Sequence, residues 1–112
     1  MSEKRTRRVG MNDALFREVN ERIGQLTDRF ETARDETMEV VCECADPSCT
    51  ERVEIGTHAY EALRADPARF LVIPGHVAED VEDVVERTEA YDVVRKHDGL
   101  AAEIAEQTDP RS

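Results

Sequence analysis

The stretch Cys42-Glu43-Cys44-Ala45-Asp46-Pro47-Ser48-Cys49 holds all three cysteines of the chain, and the reading of those thiols decides what kind of fold surrounds them. Upstream, Met38, Val40, Cys42 and Cys44 alternate with Glu39, Val41 and Glu43, the pattern of an extended strand with one buried face. Asp46-Pro47-Ser48-Cys49 has the residue preferences of a type I turn, with Asp first, Pro second and Ser third. The chain therefore reverses, and Arg52-Val53-Glu54-Ile55 returns as the second strand of a hairpin. Cysteines two apart on a strand project to one side, so both sulfurs approach a single ion at about 2.3 Å, and the turn folds the third sulfur back towards them.

Packing alone accounts for Cys42 and Cys44, which share the face of Met38 and Val40, but not for Cys49 in a polar turn. A disulfide between Cys42 and Cys44 is strained at that spacing, and an iron–sulfur cluster asks for four thiolates. The pattern points instead to a structural metal ion, zinc, one per chain. Its fourth ligand comes from the histidines. His76 follows Ile73-Pro74-Gly75, fixed by a strand and presented by a tight turn, and is the first choice. His58, on the first turn of a short helix just after the hairpin, is the second. His97, in a polar stretch beside Gly99, reads as a surface residue.

Around this centre the sequence predicts a small α+β domain. The apolar residues Leu15, Val19, Ile23, Leu26 and Phe30 recur every three or four positions over 12–31 and mark an amphipathic helix, capped by Asn12 or Asp13, whose stripe covers the domain's own sheet. A partner-binding or dimer-forming role is the alternative for that face. Thr57 caps a short helix ending before Asp66-Pro67, and Phe70-Leu71-Val72-Ile73 is a central strand. The segment 77–90 is ambiguous, because Val77, Val81, Val84 and Val85 fit helical spacing. The preferred reading is a turn around 78–80 followed by a hairpin through Tyr91-Asp92-Val93-Val94. Leu100, Ala101, Ile104 and Ala105 mark a short C-terminal helix. The expected organisation is a flexible basic arm at 1–11, one domain at 12–107 with its metal-binding α/β part at 38–97, and a flexible tail at 108–112.

A chain of 112 residues with 39% hydrophobic and 4% aromatic residues and no Trp has a modest core, which a bound ion would reinforce. The 15 basic and 26 acidic residues give a net charge of −11, which disfavours nucleic acid and anionic membranes. Only Lys4, Arg5, Arg7 and Arg8 in the arm offer nucleic acid a contact, and Met11 is an alternative start. No segment approaches a membrane span, no secretory leader is expected, and the cytoplasm, where thiols stay reduced, is the expected location.

Several motifs together, Asn20-Glu21-Arg22-Ile23, the cysteine stretch continued by Thr50-Glu51-Arg52, Tyr60-Glu61, Arg64-Ala65-Asp66-Pro67, Phe70 through His76 and the closing Thr108-Asp109-Pro110-Arg111, resemble small uncharacterised proteins of high-GC Gram-positive bacteria of actinobacterial type. The resemblance spans the chain from Met11 onward. It implies a shared fold and a Cys42, Cys44, Cys49, His76 constellation, and no activity. The functional expectation is a zinc-binding structural or regulatory module that binds a protein partner and has no catalysis of its own. The alternative is a redox-responsive switch in which oxidation of a cysteine releases the ion. A small metal-dependent enzyme, using Glu43, Asp46 or Glu51, or His58 and Tyr60 beside Cys49, is the third reading.

Overall fold

In the computed structural model, which describes residues 3–30 and 37–111 and the side chains of all of these except 26–30, the order of elements is α1 (Glu3–Phe30), β1 (Thr37–Val41), β2 (Arg52–Gly56), α2 (Thr57–Arg64), β3 (Arg69–Val72), β4 (Glu82–Arg87), β5 (Asp92–Lys96) and α3 (Leu100–Gln107). The fold is α+β. The strands form two antiparallel sheets, a β1-β2 hairpin and a three-stranded sheet in the order β3-β5-β4. Alternation sets the hairpin register: Met38 faces Ile55 and Val40 faces Val53, so the apolar side chains of both strands fall on one face and meet Tyr60, Leu63, Leu71 and Val93. The two sheets are joined where Glu43, two residues past β1, donates its backbone N–H to the Leu71 carbonyl at 2.8 Å.

The segment 77–90 resolves as turn and strand. Val81 N–H donates to the Ala78 carbonyl, and β4 then pairs with β5 around a bulge between Val84 and Glu86. Helical spacing of the valines fails here because β4 alternates, with Glu82 and Val84 inward and Asp83 and Val85 outward, leaving Val85 exposed. Thr57 makes no side-chain cap; Gly56 is the N-cap of α2, without a side-chain bond.

Helix α1 departs most from expectation. It begins at Glu3, so residues 3–11 of the anticipated arm are helical. Val9 packs with Val81 and Ala101, Gly10 lies against Ile104, and Arg5 pairs with Asp80 at 2.6 Å; these contacts anchor the segment. The face is also reversed. Leu15 is 60% and Val19 39% exposed, whereas the buried face carries Thr6, Val9, Asp13, Ala14, Arg17, Asn20 and Glu21; of the expected stripe only Ile23 packs partly against the core, while Glu31 and the side chains of Leu26 and Phe30 lie outside the described residues.

The physical reason is what α1 covers. Asn20 accepts from Val41 N–H and donates to the Val41 carbonyl, both at 2.8 Å. Asn12, expected as a cap, donates to the Cys44 carbonyl at 2.9 Å. Arg17 donates to the carbonyls of Pro67 and Ala105 at 2.6 and 2.8 Å and lies over the Phe70 ring. An apolar face laid here would strand these backbone groups, each at a cost of about 1–3 kcal/mol.

Charges are buried with their partners. Lys96 bonds Asp13 and, at 2.6 Å, Glu82, and Arg64 bonds Glu43 at 2.7 Å. Burial, reinforced by the charges of Glu82 and Glu43 and opposed by Lys96, raises the Asp13 carboxyl to about 7. Burial also works against the Lys96 ammonium, but its two carboxylates outweigh it and hold the pKa above the ordinary lysine value. At the other end, the anticipated free tail is tied down. Arg111 bonds Glu21 at 2.5 Å and Glu61 at 2.9 Å, because its forked guanidinium reaches carboxylates on both α1 and α2.

Candidate metal centre

Each of the cysteines is placed by a local feature of its sequence. Cys42 and Cys44 continue the buried face of β1 beyond its last paired residue, and Cys42 N–H still reaches across to the Glu51 carbonyl at 3.0 Å. Asp46 then reverses the chain. Its carbonyl accepts from Cys49 N–H at 3.1 Å, and its side-chain Oδ1 accepts from the amide and hydroxyl of Ser48 at 2.9 and 2.7 Å, an Asx turn that fixes the third thiol.

His76 arrives from the other sheet. After β3, Pro74 presets φ and Gly75 takes φ 91°, a left-handed conformation suited to the third position of a type II turn. His76 N–H closes the turn on the Ile73 carbonyl at 2.9 Å. Gly75 N–H is held by Asp92 Oδ2 at 3.1 Å, which ties the turn to β5.

One ligand atom from each of Cys42, Cys44, Cys49 and His76 lies within 4.8 Å of all the others, and the group can hold one metal ion. His76 Nδ1 is 3.6 Å from Cys42 Sγ and 3.9 Å from Cys49 Sγ. A tetrahedral ion with bonds of about 2.3 Å to sulfur and 2.0–2.1 Å to nitrogen sets such edges at roughly 3.5 Å, so the cluster is within a few tenths of an ångström of that geometry along these edges. A backbone donor supports the sulfur most deeply placed: Ile73 N–H points at Cys42 Sγ at 3.2 Å, the kind of contact that stabilises a thiolate beside a metal. Burial raises the Cys42 thiol, opposed by that amide, and burial likewise raises Cys44; without a cation both stay protonated. An open cleft of about 310 Å³, bounded by Arg5, Cys44, Asp46 and His76 among others, gives an ion a way in.

The other histidines stand elsewhere. His58 is exposed on the first turn of α2 and is not in the cluster, and His97 faces Asp83 at 3.3 Å. Glu43 has a role that the sequence did not disclose. Alternation turns it away from the sulfurs and into a fully buried site, where Oε1 accepts from Arg64 and from Leu71 N–H at 2.7 and 3.0 Å and Oε2 accepts from Asn20 at 2.7 Å. The acceptor between two ligands is thus the joint between hairpin, β3, α2 and α1. Nothing in the spacing marks it, because a glutamate on the outer face of a hairpin reads as solvated until a helix is known to cover that face.

Comparison with protein-family models, curated proteins and solved structures finds no significant match. The site therefore rests on its own geometry. Among the described residues no helix is long and apolar enough to cross a membrane.

Proposed function

We propose that the protein is a zinc-stabilised module of the cytoplasm that acts by binding a protein partner. The observation that carries the metal reading is the convergence of three thiols from the hairpin and an imidazole from the turn after β3 within 4.8 Å. Three sulfurs and one nitrogen suit zinc above harder cations, which prefer oxygen. The ion bridges the two sheets and supplies a restraint that a core with so few aromatic residues lacks. Four protein ligands complete a tetrahedron and leave no position for substrate, so this reading includes no catalysis. The interaction role is supported by apolar side chains that α1 turns to solvent.

Elemental analysis with native mass spectrometry tests the metal reading. One zinc per chain is expected, lost in Cys49→Ala and His76→Ala together with cooperative unfolding. Purified protein that holds no metal and gains no stability from added zinc refutes it. A second reading is a thiol-based redox switch, favoured by the position of Cys44 and His76 on the wall of the open cleft, where a peroxide can oxidise a ligating thiolate. Zinc release at low peroxide doses, reversed by thiol reductant, distinguishes the switch from a purely structural ion.

A further inference from the structure

The outward face of α1 is ordered in a way its docking does not require. On a helix turning 100° per residue, Lys4, Arg8, Met11, Leu15, Val19 and Arg22 fall within an arc of about 80°, and each of the six is exposed. Along the axis the face reads basic, apolar, basic: Lys4 and Arg8, then Met11, Leu15 and Val19 at 58, 60 and 39% exposure, then Arg22. Arg8 and Arg22 stand seven residues either side of Leu15, about 10 Å each way. Helix α1 carries seven Lys and Arg against five Asp and Glu, whereas residues 37–112 carry seven against eighteen.

We propose that this face docks an acidic amphipathic helix of another protein, one presenting two or three apolar residues at three- and four-residue spacing with Asp or Glu about two turns out on each side. The apolar centre supplies the contact and the flanking carboxylates meet Arg8 and Arg22. The same face rejects a second copy of itself. Antiparallel pairing with Leu15 on Leu15 sets Arg8 against Arg22 twice, and parallel pairing sets each arginine against its own counterpart. An anionic membrane is a poorer fit, because among the described side chains the apolar patch is three residues long, none of them aromatic, and the body behind it is strongly acidic. The inference rests on the reading of the protein as an interaction module and not on the identity of the metal.

The test is selection of displayed helical peptides, randomised at the outward positions, on the zinc-loaded full chain. Enriched peptides should carry Leu, Ile or Met at heptad-like spacing between acidic ends. Their binding should fall at least tenfold in Leu15→Glu and in an Arg8→Glu, Arg22→Glu double variant, weaken with salt, and return to the double variant when the peptide acids become lysines. Zinc content and unfolding midpoint of Leu15→Glu should match the parent, since Leu15 is exposed; a loss of metal there would fault the structural account, while a zinc-loaded parent chain that enriches no peptide would fault only the docking surface. Enrichment of basic or uncharged peptides, binding indifferent to Leu15→Glu, self-association abolished by Leu15→Glu, or binding of phosphatidylserine vesicles in place of peptides would each overturn the proposal.

Discussion

Replacing Glu43 by Gln tests whether α1, the hairpin and β3 share one buried joint. The substitution keeps the shape and removes one charge. Glu43 has no exposed side-chain surface and Arg64 has 3%, so Arg64 is left as a buried cation without its counter-charge, a change that costs about 3–5 kcal/mol. Rotation of the amide offers no escape. Both carboxylate oxygens receive donors, Arg64 and Leu71 N–H on one and Asn20 on the other, and in either orientation the new NH₂ faces a donor. A loss of about 4 kcal/mol is expected, a large share of the 5–15 kcal/mol typical of a domain. In urea, with a slope of about 2 kcal/mol per molar, the midpoint should fall by about 2 M. Glu54→Gln, exposed on β2, is the control and should change stability by less than about 0.5 kcal/mol. A Glu43→Gln loss under about 1 kcal/mol would refute the joint.

Asp13, at about 7 in the folded protein against 3.8 for the ordinary carboxyl, holds a proton between those values that the unfolded chain has released. Stability from this group is therefore full below about pH 4 and declines as pH rises towards 7, by up to about 1.4 kcal/mol per pH unit. In urea titrations from pH 4.5 to 7.5, the stability of the parent relative to Asp13→Asn should fall with rising pH; a constant or rising difference contradicts the assignment. Gly10→Ala should destabilise by about 1–3 kcal/mol, reversing the usual helix preference, because the new Cβ would lie 2.8 Å from Ile104 Cγ2. Gly24→Ala, whose Cβ would sit 3.7 Å from Tyr60, should be neutral or stabilising, and thermal melts of the pair compare the two directly. Arg111→Ala should cost about 1 kcal/mol or less and cost less still in high salt, as Arg111 itself and its partner Glu61 are part-exposed.

The parts of the fold legible in the sequence are those set by local chemistry. Alternation through Met38, Val40, Cys42 and Cys44 set the buried face of the hairpin, Asp46-Pro47-Ser48 set its reversal, and Pro74-Gly75 set the turn that carries His76. Helix α1 was legible as a helix but not in its orientation. Amphipathic reasoning sends the apolar stripe inward, and that holds when the covered surface is apolar. Here the covered surface carries open carbonyls at Val41, Cys44, Pro67 and Ala105, so Asn12, Arg17 and Asn20 turn in and Leu15 turns out. Partners such as Arg5 with Asp80 and Arg111 with Glu21 are 75 and 90 residues apart in sequence. Neither local pattern nor composition reveals such pairs, and both ends of the chain consequently read as free.

X-ray absorption at the zinc edge of the purified, zinc-loaded chain reads the ligand set itself. Three sulfur neighbours at about 2.3 Å and one nitrogen at about 2.0–2.1 Å are expected, with His76→Ala losing the imidazole signal. A first shell made of oxygen and nitrogen, or one unchanged by His76→Ala, would contradict that ligand set.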